Sequence, residues 1–172
     1  MIKNKNDLKR YLQADLSPFK KTKKRFQGLR GDINYYRKKF IVHLRKLEYY
    51  FNVHPKWLIH RFFHESRKNH FGRMFGWEIP INTCEEGLHL WHSNVVINDH
   101  CKVGTNASFS GNNCIGRVEQ KYPIVGDNVS FGFGSVVIGD VKLGNNITIG
   151  ANSTVTKSFD SGSEIFNSSA IS

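Results

Sequence analysis

The stretch that decides the fold reads Val125-Gly-Asp-Asn-Val-Ser-Phe-Gly132, and it returns eighteen residues later as Leu143-Gly-Asn-Asn-Ile-Thr-Ile-Gly150. Within each copy a bulky apolar residue followed by glycine recurs every six positions. An amphipathic helix repeats every 3.6 residues and an alternating strand every two, so neither explains this period. Hexapeptide repeats are typical of a parallel β-helix.

The six-residue period extends over 97–159. The bulky positions are Ile97, Val103, Phe109, Ile115, Val125, Phe131, Val137, Leu143, Ile149 and Val155. The fifth position of each unit is small or aliphatic: Cys101, Ala107, Val129, Ser135, Val141, Ile147 and Ser153. We therefore expect the bulky residues to point inward and stack between coils about 4.8 Å apart. We expect the glycines at corners, where they accept backbone angles that a Cβ forbids.

Two departures from the repeat indicate loops. The segment Arg117–Pro123 is longer than a corner needs, and a solenoid places such insertions outside, often on its binding face. After Thr156 the repeat decays, which predicts a tail over the last coil. The Asn-x-Ser/Thr triplets at 106, 128, 146 and 152 are interpreted as corner residues of the repeat rather than glycosylation sites.

The charge divides the chain into two parts. Of its 25 Lys and Arg residues, 20 precede residue 77, together with only five of the 14 acidic residues, so the net charge of +11 belongs to the N-terminal part. We predict a small α-helical region over 1–76 and a mainly β domain, a β-helix with a C-terminal tail, over 77–172. The charged N-terminus and the lack of a long apolar run predict a soluble, cytoplasmic protein.

Three helices are expected before the repeat. Their start signals are Asn6 or Asp7, Asp32 and Pro55, and the stop signals are Ser17-Pro18 and Gly72. The basic segment 20–30 is interpreted as a solvated or substrate-facing loop, because no groove-reading motif accompanies it. His60 and His64 have metal-like spacing without a third ligand nearby, so no metal is predicted. Cys84, Cys101 and Cys114 are interpreted as reduced packing residues.

The stretch from Trp77 to Phe159 resembles the hexapeptide-repeat acetyltransferases that have a left-handed β-helix. In particular it is similar to the serine-acetyltransferase-like branch associated with surface polysaccharide synthesis. The resemblance rests on the repeats and on Glu78-Ile-Pro, Gly87-Leu-His-Leu-Trp-His92, Val95-Val-Ile-Asn98 and Gly150-Ala-Asn-Ser-Thr-Val-Thr-Lys157.

This resemblance implies a homotrimer that binds acetyl-CoA in a groove between subunits. It implies that His92 is the general base, since imidazole titrates near neutral pH, and that a backbone N–H stabilises the oxyanion. The positions that correspond to cofactor contacts are Gly132, Phe133, Gly150, Ala151, Thr156 and Lys157. The small residues would let pantetheine approach the backbone, and Lys157 would meet a phosphate.

The chain also departs from serine acetyltransferases at polar positions. Trp91 stands where they have Asp before the catalytic His, Tyr122 where they have a second His, and Trp77 near a partner Asp. We expect Glu78 to orient His92 instead, and we assign His89, Trp91 and Tyr122 to the acceptor. In an extended strand His89 and His92 would face opposite ways.

Three functions remain open at this point. We favour an O-acetyltransferase that modifies a sugar hydroxyl of a surface polysaccharide or its precursor, with the basic helices approaching an anionic membrane surface or lipid-linked acceptor. The alternative is a serine O-acetyltransferase of cysteine biosynthesis. A non-catalytic scaffold or a basic nucleic-acid-binding module is the third possibility, and we expect no nucleic-acid partner.

Overall fold

The computed structural model describes residues 1–19 and 31–167, so the predicted basic loop at 20–30 and the end of the tail lie outside the described residues. The chain forms two compact units, Met1–Phe75 and Gly76–Ser172. Their boundary lies one residue from the division that the charge and the repeat predict.

The first unit contains the helices α1 (Lys5–Asp15), α2 (Ile33–Val53) and α3 (Leu58–Phe75). The expected cap of α1 is wrong: Asn4 caps it, because its side-chain oxygen accepts from the backbone nitrogens of Asn6 at 2.8 Å and Asp7 at 2.9 Å. Asp32 caps α2 as predicted, accepting from the Asn34 nitrogen at 2.9 Å. An N-cap side chain of this kind satisfies a backbone donor that has no partner within the helix.

The limits of α3 also differ from the prediction. Pro55 lies in the turn before the helix, which begins at Leu58. Gly72 does not end the helix but is buried inside it. The helix stops at Phe75 because Gly76 takes a φ of 65°, the left-handed conformation that commonly follows a helix C-terminus.

A buried ion-pair network joins α1 to α2. The Arg45 side chain is fully buried, and its Nε donates to Asp15 Oδ2 at 2.6 Å while its Nη1 donates to Glu48 Oε2 at 2.9 Å. The guanidinium lies 4.9 Å from the centre of the Tyr11 ring. The two carboxylates raise the pKa of Arg45 against the opposing effect of burial, so the charge is held where water cannot solvate it.

A buried histidine pair joins α2 to α3. The Nδ1 atoms of His43 and His64 lie 2.8 Å apart, and the His43 ring stacks on Phe71 at 5.9 Å between ring centres. Burial, helped by neighbouring cations, lowers the pKa of both histidines to about 4. They are therefore uncharged packing residues at neutral pH, and residues 1–19 and 31–167 contain no cluster of three metal-ligating side chains.

The second unit is a parallel β-helix, and the fold class is the predicted left-handed one. Its strands are β1 (Trp77–Glu78), β2 (His89–Leu90), β3 (Val95–Ile97), β4 (Lys102–Val103), β5 (Ser108–Phe109), β6 (Asn113–Gly116), β7 (Ile124–Val125), β8 (Ser130–Phe131), β9 (Val136–Ile138), β10 (Lys142–Leu143), β11 (Thr148–Ile149), β12 (Thr154–Val155) and β13 (Glu164–Ile165). They form three sheets with the orders β1-β3-β6-β9-β12, β4-β7-β10 and β2-β5-β8-β11-β13. Each coil therefore passes once through each sheet.

The core of the β-helix is the predicted column of bulky residues. All ten repeat positions from Ile97 to Val155 are at most 4% exposed. The rings of Phe109 and Phe131 stack directly, with centres 4.4 Å apart and planes 6° from parallel. The small fifth positions, such as Ala107 and Ser135, are buried as well.

The repeat glycines have a different reason from the one predicted. None of Gly104, Gly126, Gly132, Gly144 and Gly150 has a positive φ. Instead, each faces the next coil: a Cβ on Gly132, for example, would lie 2.6 Å from the Ala151 nitrogen. Close approach of the backbones, rather than backbone angle, requires these glycines.

Asparagines carry the left-handed corner conformation. Asn106, Asn128, Asn146 and Asn152, the four residues of the glycosylation-like triplets, have φ values of 55° to 56°. Along one corner their side chains form a ladder, in which Asn106 Nδ2 donates to Asn128 Oδ1 at 3.0 Å and Asn128 Nδ2 to Asn146 Oδ1 at 2.9 Å. The triplets are therefore corner residues of the repeat.

The strand register locates the insertion and corrects the predicted tail. Most coils pair residues 18 apart, such as Trp77 with Val95, whereas Lys102 pairs with Ile124. The additional residues form a small hairpin in which Val118 and Lys121 exchange backbone hydrogen bonds of 3.1 and 3.0 Å. The residues after Thr156 do not form a loose tail, because β13 pairs with β11 and completes a last coil. In the described ranges no helix has the length and apolarity to cross a membrane.

Candidate active site

His92 lies at a corner that contains one more residue than the corner of the next coil. Leu90 pairs with Phe109, 19 residues on, whereas Val95 pairs with Asn113, 18 residues on. Strand β2 ends at Leu90, so the prediction that His92 lies on a strand is wrong. The additional residue makes this corner wider and leaves His92 exposed.

The backbone of this corner is fixed from both sides. The buried Trp77 donates from its indole Nε1 to the His92 carbonyl at 2.9 Å. The Ser93 carbonyl accepts from the Asn112 nitrogen at 2.9 Å. Gly111 lies against His92, and a Cβ there would be 2.7 Å from the Cβ of His92. Its φ of 125° also favours glycine.

The buried side chain of Asn113 connects this corner to the coils beyond it. Its Oδ1 accepts from the Gly111 nitrogen at 2.8 Å, and its Nδ2 donates to the Gly132 carbonyl at 2.7 Å and to Ser135 Oγ at 2.9 Å. Sequence reasoning missed this residue. The available signal was that Asn113 stands six residues after Ala107, where the repeat otherwise has a small or aliphatic residue.

His92 shares its corner with four of the six predicted cofactor residues. The Gly134 nitrogen donates to the Gly111 carbonyl at 2.9 Å, and the Asn152 nitrogen donates to the Phe133 carbonyl at 2.8 Å. Consecutive coils therefore bring His92, Gly111, Phe133 and Ala151 into one row, which we call the His92 column. Gly132 and Gly150 stand directly before Phe133 and Ala151, and their contacts with the next coil account for the absence of side chains there.

The other two predicted cofactor residues, Thr156 and Lys157, lie at a different corner. They line a groove of about 350 Å³ with Phe159, Phe166 and Asn167. The Lys157 ammonium is exposed and lies 5.5 Å from the centre of the Phe159 ring. The Phe166 ring contacts the position that a Cβ of Gly150 would occupy. Phe166 therefore links this groove to the end of the His92 column.

Of the predicted acceptor residues, His89 and Trp91 lie beside the column. Trp91 is half exposed, donates from Nε1 to Ser108 Oγ at 2.9 Å and meets the His89 ring edge-on, with centres 6.1 Å apart. His89 Nε2 is buried without a hydrogen-bond partner in the part of the chain that the structure describes. An unpaired buried nitrogen of this kind is costly unless a ligand or water satisfies it.

Within one chain, Tyr122 and Glu78 lie away from the His92 side chain. Tyr122 is at the corner between the first and second sheets, where its ring stacks on His100 with centres 4.6 Å apart. Glu78 is exposed on β1, in register with Val96. Among the described residues, no hydrogen bond joins the Glu78 carboxylate to His92.

The cysteines do not contribute a reactive thiolate to this site. All three are free. Burial raises the pKa of Cys101 to about 11 and that of Cys114 above its ordinary value. Both sulfurs therefore remain protonated thiols at neutral pH.

Comparison with known proteins defines the class first. The model of the family "Bacterial transferase hexapeptide (six repeats)" matches residues 122–157. Its description and the parallel coils confirm that the second unit is a hexapeptide-repeat β-helix.

More specific relatives are serine acetyltransferases. The chain is 35% identical over 75 residues to the enzyme of Staphylococcus aureus, covering 41% of this chain and 35% of that one. It is 38% identical over 71 residues to that of Staphylococcus epidermidis, covering 39% and 33%. The match therefore spans about a third of the length of these curated relatives.

Solved structures show the same fold over most of the chain. The soybean serine acetyltransferase apoenzyme superposes with a TM-score of 0.70 at 19% identity, covering 96% of this chain and 68% of that one. Entamoeba histolytica serine acetyltransferase 1 in complex with L-cysteine gives 0.67 at 17% identity, covering 94% and 62%. The resemblance to hexapeptide-repeat acetyltransferases is thus confirmed. The comparisons support the serine alternative better than the sugar acceptor favoured above.

Proposed function

We propose that this protein is an acetyl-CoA-dependent O-acetyltransferase in which His92 is the general base. The observation that carries the proposal is the widened corner, which exposes His92 in the same column as the four small or flat cofactor positions. The proposal includes a cytoplasmic homotrimer with its site between subunits, as the resemblance implies. A serine acetyltransferase has been solved in complex with CoA, which supports acetyl-CoA as the donor.

The expected chemistry needs only one proton carrier from this chain. His92 accepts the proton of the acceptor hydroxyl as its oxygen attacks the carbonyl carbon of the thioester. The tetrahedral intermediate then collapses, its carbon–sulfur bond breaks, and His92 gives the proton to the leaving sulfur. A general base of this kind contributes roughly 10²- to 10⁴-fold to the rate, and a backbone N–H would stabilise the oxyanion.

In this proposal Gly132, Phe133, Gly150 and Ala151 line the path of the pantetheine, because they follow His92 along one corner. Thr156 and Lys157 hold the nucleotide end in the groove beside Phe166. An exposed ammonium in a groove suits a phosphate, since it remains charged and can turn toward it.

For the acceptor we propose serine first, because the curated relatives are serine acetyltransferases. A sugar hydroxyl is the second candidate, and Trp91 favours it. The half-exposed Trp91 indole beside His92 offers a flat apolar surface where a serine-binding site would need charged partners. His89, Trp91 and Tyr122 remain the proposed acceptor residues, and Glu78 remains the proposed partner of His92.

The decisive experiment measures thiol release from acetyl-CoA with serine and with a panel of hexoses and aminosugars. Release with serine at least tenfold faster than with the best sugar would establish the first acceptor, and the reverse ratio would establish the second. Absence of release with every acceptor would refute an acetyltransferase.

Variants test the role of His92. His92→Ala should abolish release with the protein still folded, whereas His100→Ala, which removes an exposed histidine from another corner, should leave it unchanged. If His89→Ala abolishes release and His92→Ala does not, the general base is misassigned. A monomer by light scattering would contradict a site between subunits.

Binding to DNA at several salt concentrations tests the nucleic-acid alternative, because phosphate-driven affinity falls steeply as salt rises. We expect no tight binding at physiological salt.

A further inference from the structure

The helical unit carries an apolar surface that none of the described residues covers. Ile59, Phe62 and Leu58 are 84%, 75% and 65% exposed. Trp57 and Phe63 continue the same surface and are each about half exposed. We call these five residues the α3 apolar face. Single exposed apolar residues are ordinary, but a contiguous group that includes three aromatic or large aliphatic side chains usually marks an interaction site.

This face is separate from the one that packs the helix into its own unit. The buried residues of α3 are His64, Phe71, Gly72 and Phe75. With about 100° between successive residues of a helix, residues 58, 59, 62 and 63 centre on the side nearly opposite to residues 64, 71 and 75. The α3 apolar face is therefore not a part of the core that happens to be open at its edge.

Positive charge surrounds the α3 apolar face. Lys56 precedes it, Arg61 lies within it, and Arg67 and Arg73 follow on the same helix. The Arg61 guanidinium lies 4.7 Å from the centre of the Phe51 ring, which is itself 43% exposed. This contact holds a cation at the edge of the apolar surface.

Little negative charge on this unit opposes these cations. The first 76 residues contain 20 basic and five acidic side chains. Two of those acids, Asp15 and Glu48, are buried against Arg45. The accessible charge of the helical unit is therefore almost entirely positive.

The combination fits one kind of partner better than another. Contact with a second copy through the same face would bring like charges together, since a two-fold interface places each patch against itself. An anionic bilayer instead complements both features. Apolar side chains on an interfacial helix enter about 5–10 Å into the headgroup and acyl boundary, Trp favours that boundary, and lysines and arginines attract anionic headgroups.

We propose that the α3 apolar face docks the protein on the surface of an anionic lipid bilayer. The helix lies on the membrane, with Ile59 and Phe62 as the deepest side chains and the surrounding cations against the headgroups. This inference goes beyond the proposed acetyl transfer and does not depend on it.

The test is co-sedimentation of the full chain with vesicles of phosphatidylcholine alone and with about a third of phosphatidylglycerol. We expect binding to the mixed vesicles only. Phe62→Ser and Ile59→Ser should each weaken the partition constant roughly tenfold, from the loss of one buried apolar side chain. Met74→Ser is the matched control, since Met74 is a half-exposed apolar residue elsewhere on α3, and it should bind like the wild type.

Three results would overturn the proposal. The first is no binding to anionic vesicles. The second is binding that Phe62→Ser leaves unchanged, which would reduce the attraction to charge alone. The third is a smaller assembly for Phe62→Ser by sedimentation velocity with unaltered vesicle binding, which would make the face a contact between copies. Because vesicle binding requires no turnover, failure here is distinguishable from failure of the acetyltransferase assay.

Discussion

Replacement of the buried Asn113 by Asp should destabilise the β-helix much more than the same replacement on its surface. In the wild type, Asn113 Nδ2 donates to the Gly132 carbonyl at 2.7 Å and to Ser135 Oγ at 2.9 Å. Aspartate keeps the oxygen that accepts from Gly111 but loses this donor. The Ser135 hydroxyl can turn to donate to the new carboxylate, whereas the Gly132 carbonyl then faces an acceptor.

The expected cost follows from that one unmatched pair. A buried polar group left without its partner costs about 1–3 kcal/mol, and more when a charge is buried with it. We expect a loss of about 3 kcal/mol in the free energy of unfolding at pH 7. A buried carboxyl has a raised pKa. As the pH falls toward 4, protonation should therefore restore a donor to the Gly132 carbonyl and reduce the deficit.

The matched control is Asn106→Asp, which removes the same amide donor from the exposed ladder at a corner that Asp also tolerates. Surface changes of this kind are usually within about 0.5 kcal/mol. Urea unfolding followed by circular dichroism, at one protein concentration and at pH 7 and pH 5, measures both variants. Equal stability of the two variants would refute the argument, and so would a deficit for Asn113→Asp that grows as the pH falls.

Three further predictions concern other features. Gly111→Ala should lower the rate of acetyl transfer at least tenfold with little change in the far-ultraviolet spectrum, because its Cβ would displace His92; an unchanged rate would contradict the tight contact at the column. Arg45→Met should destabilise the helical unit by about 3–5 kcal/mol, since it leaves two buried carboxylates unpaired, whereas the exposed Arg73→Met should have little effect on the melting temperature. Because the pKa values of His43 and His64 are about 4 in the folded chain and near 6.5 when unfolded, their contribution to stability should be complete above pH 6.5 and be lost as the pH falls toward 4. His43→Phe should make the helical unit's stability less sensitive to pH across that range, which thermal unfolding at each pH would measure.

The sequence predicts the β-helix well because its period is enforced by packing at every coil. A bulky residue at Phe109 or Val137 must point inward, so a six-residue pattern translates directly into three sheets. The function of the glycines was harder to foresee. Gly132 and its equivalents look like turn residues, but they meet the backbone of a coil eighteen residues away, a contact that no local pattern reveals.

The candidate site is only partly readable for the same reason. His92 is found through a motif, whereas the additional residue at its corner is visible only when Leu90 and Val95 are paired with the following coil. Trp77 and Asn113 hold that corner through contacts 15 to 19 residues distant in sequence. In the helical unit, the Arg45 network and the end of α3 at Gly76 depend on tertiary packing, which outweighed the stop signal at Gly72.

The His92 column also behaves as a ruler with fixed graduations. Each coil contributes one residue to it and advances it by about 4.8 Å, so His92 and Ala151 stand about 14 Å apart along the axis. Duplication of one eighteen-residue coil between them would lengthen that interval by a single graduation and leave both ends intact. The length of donor that the column can accommodate would thereby become countable in coils.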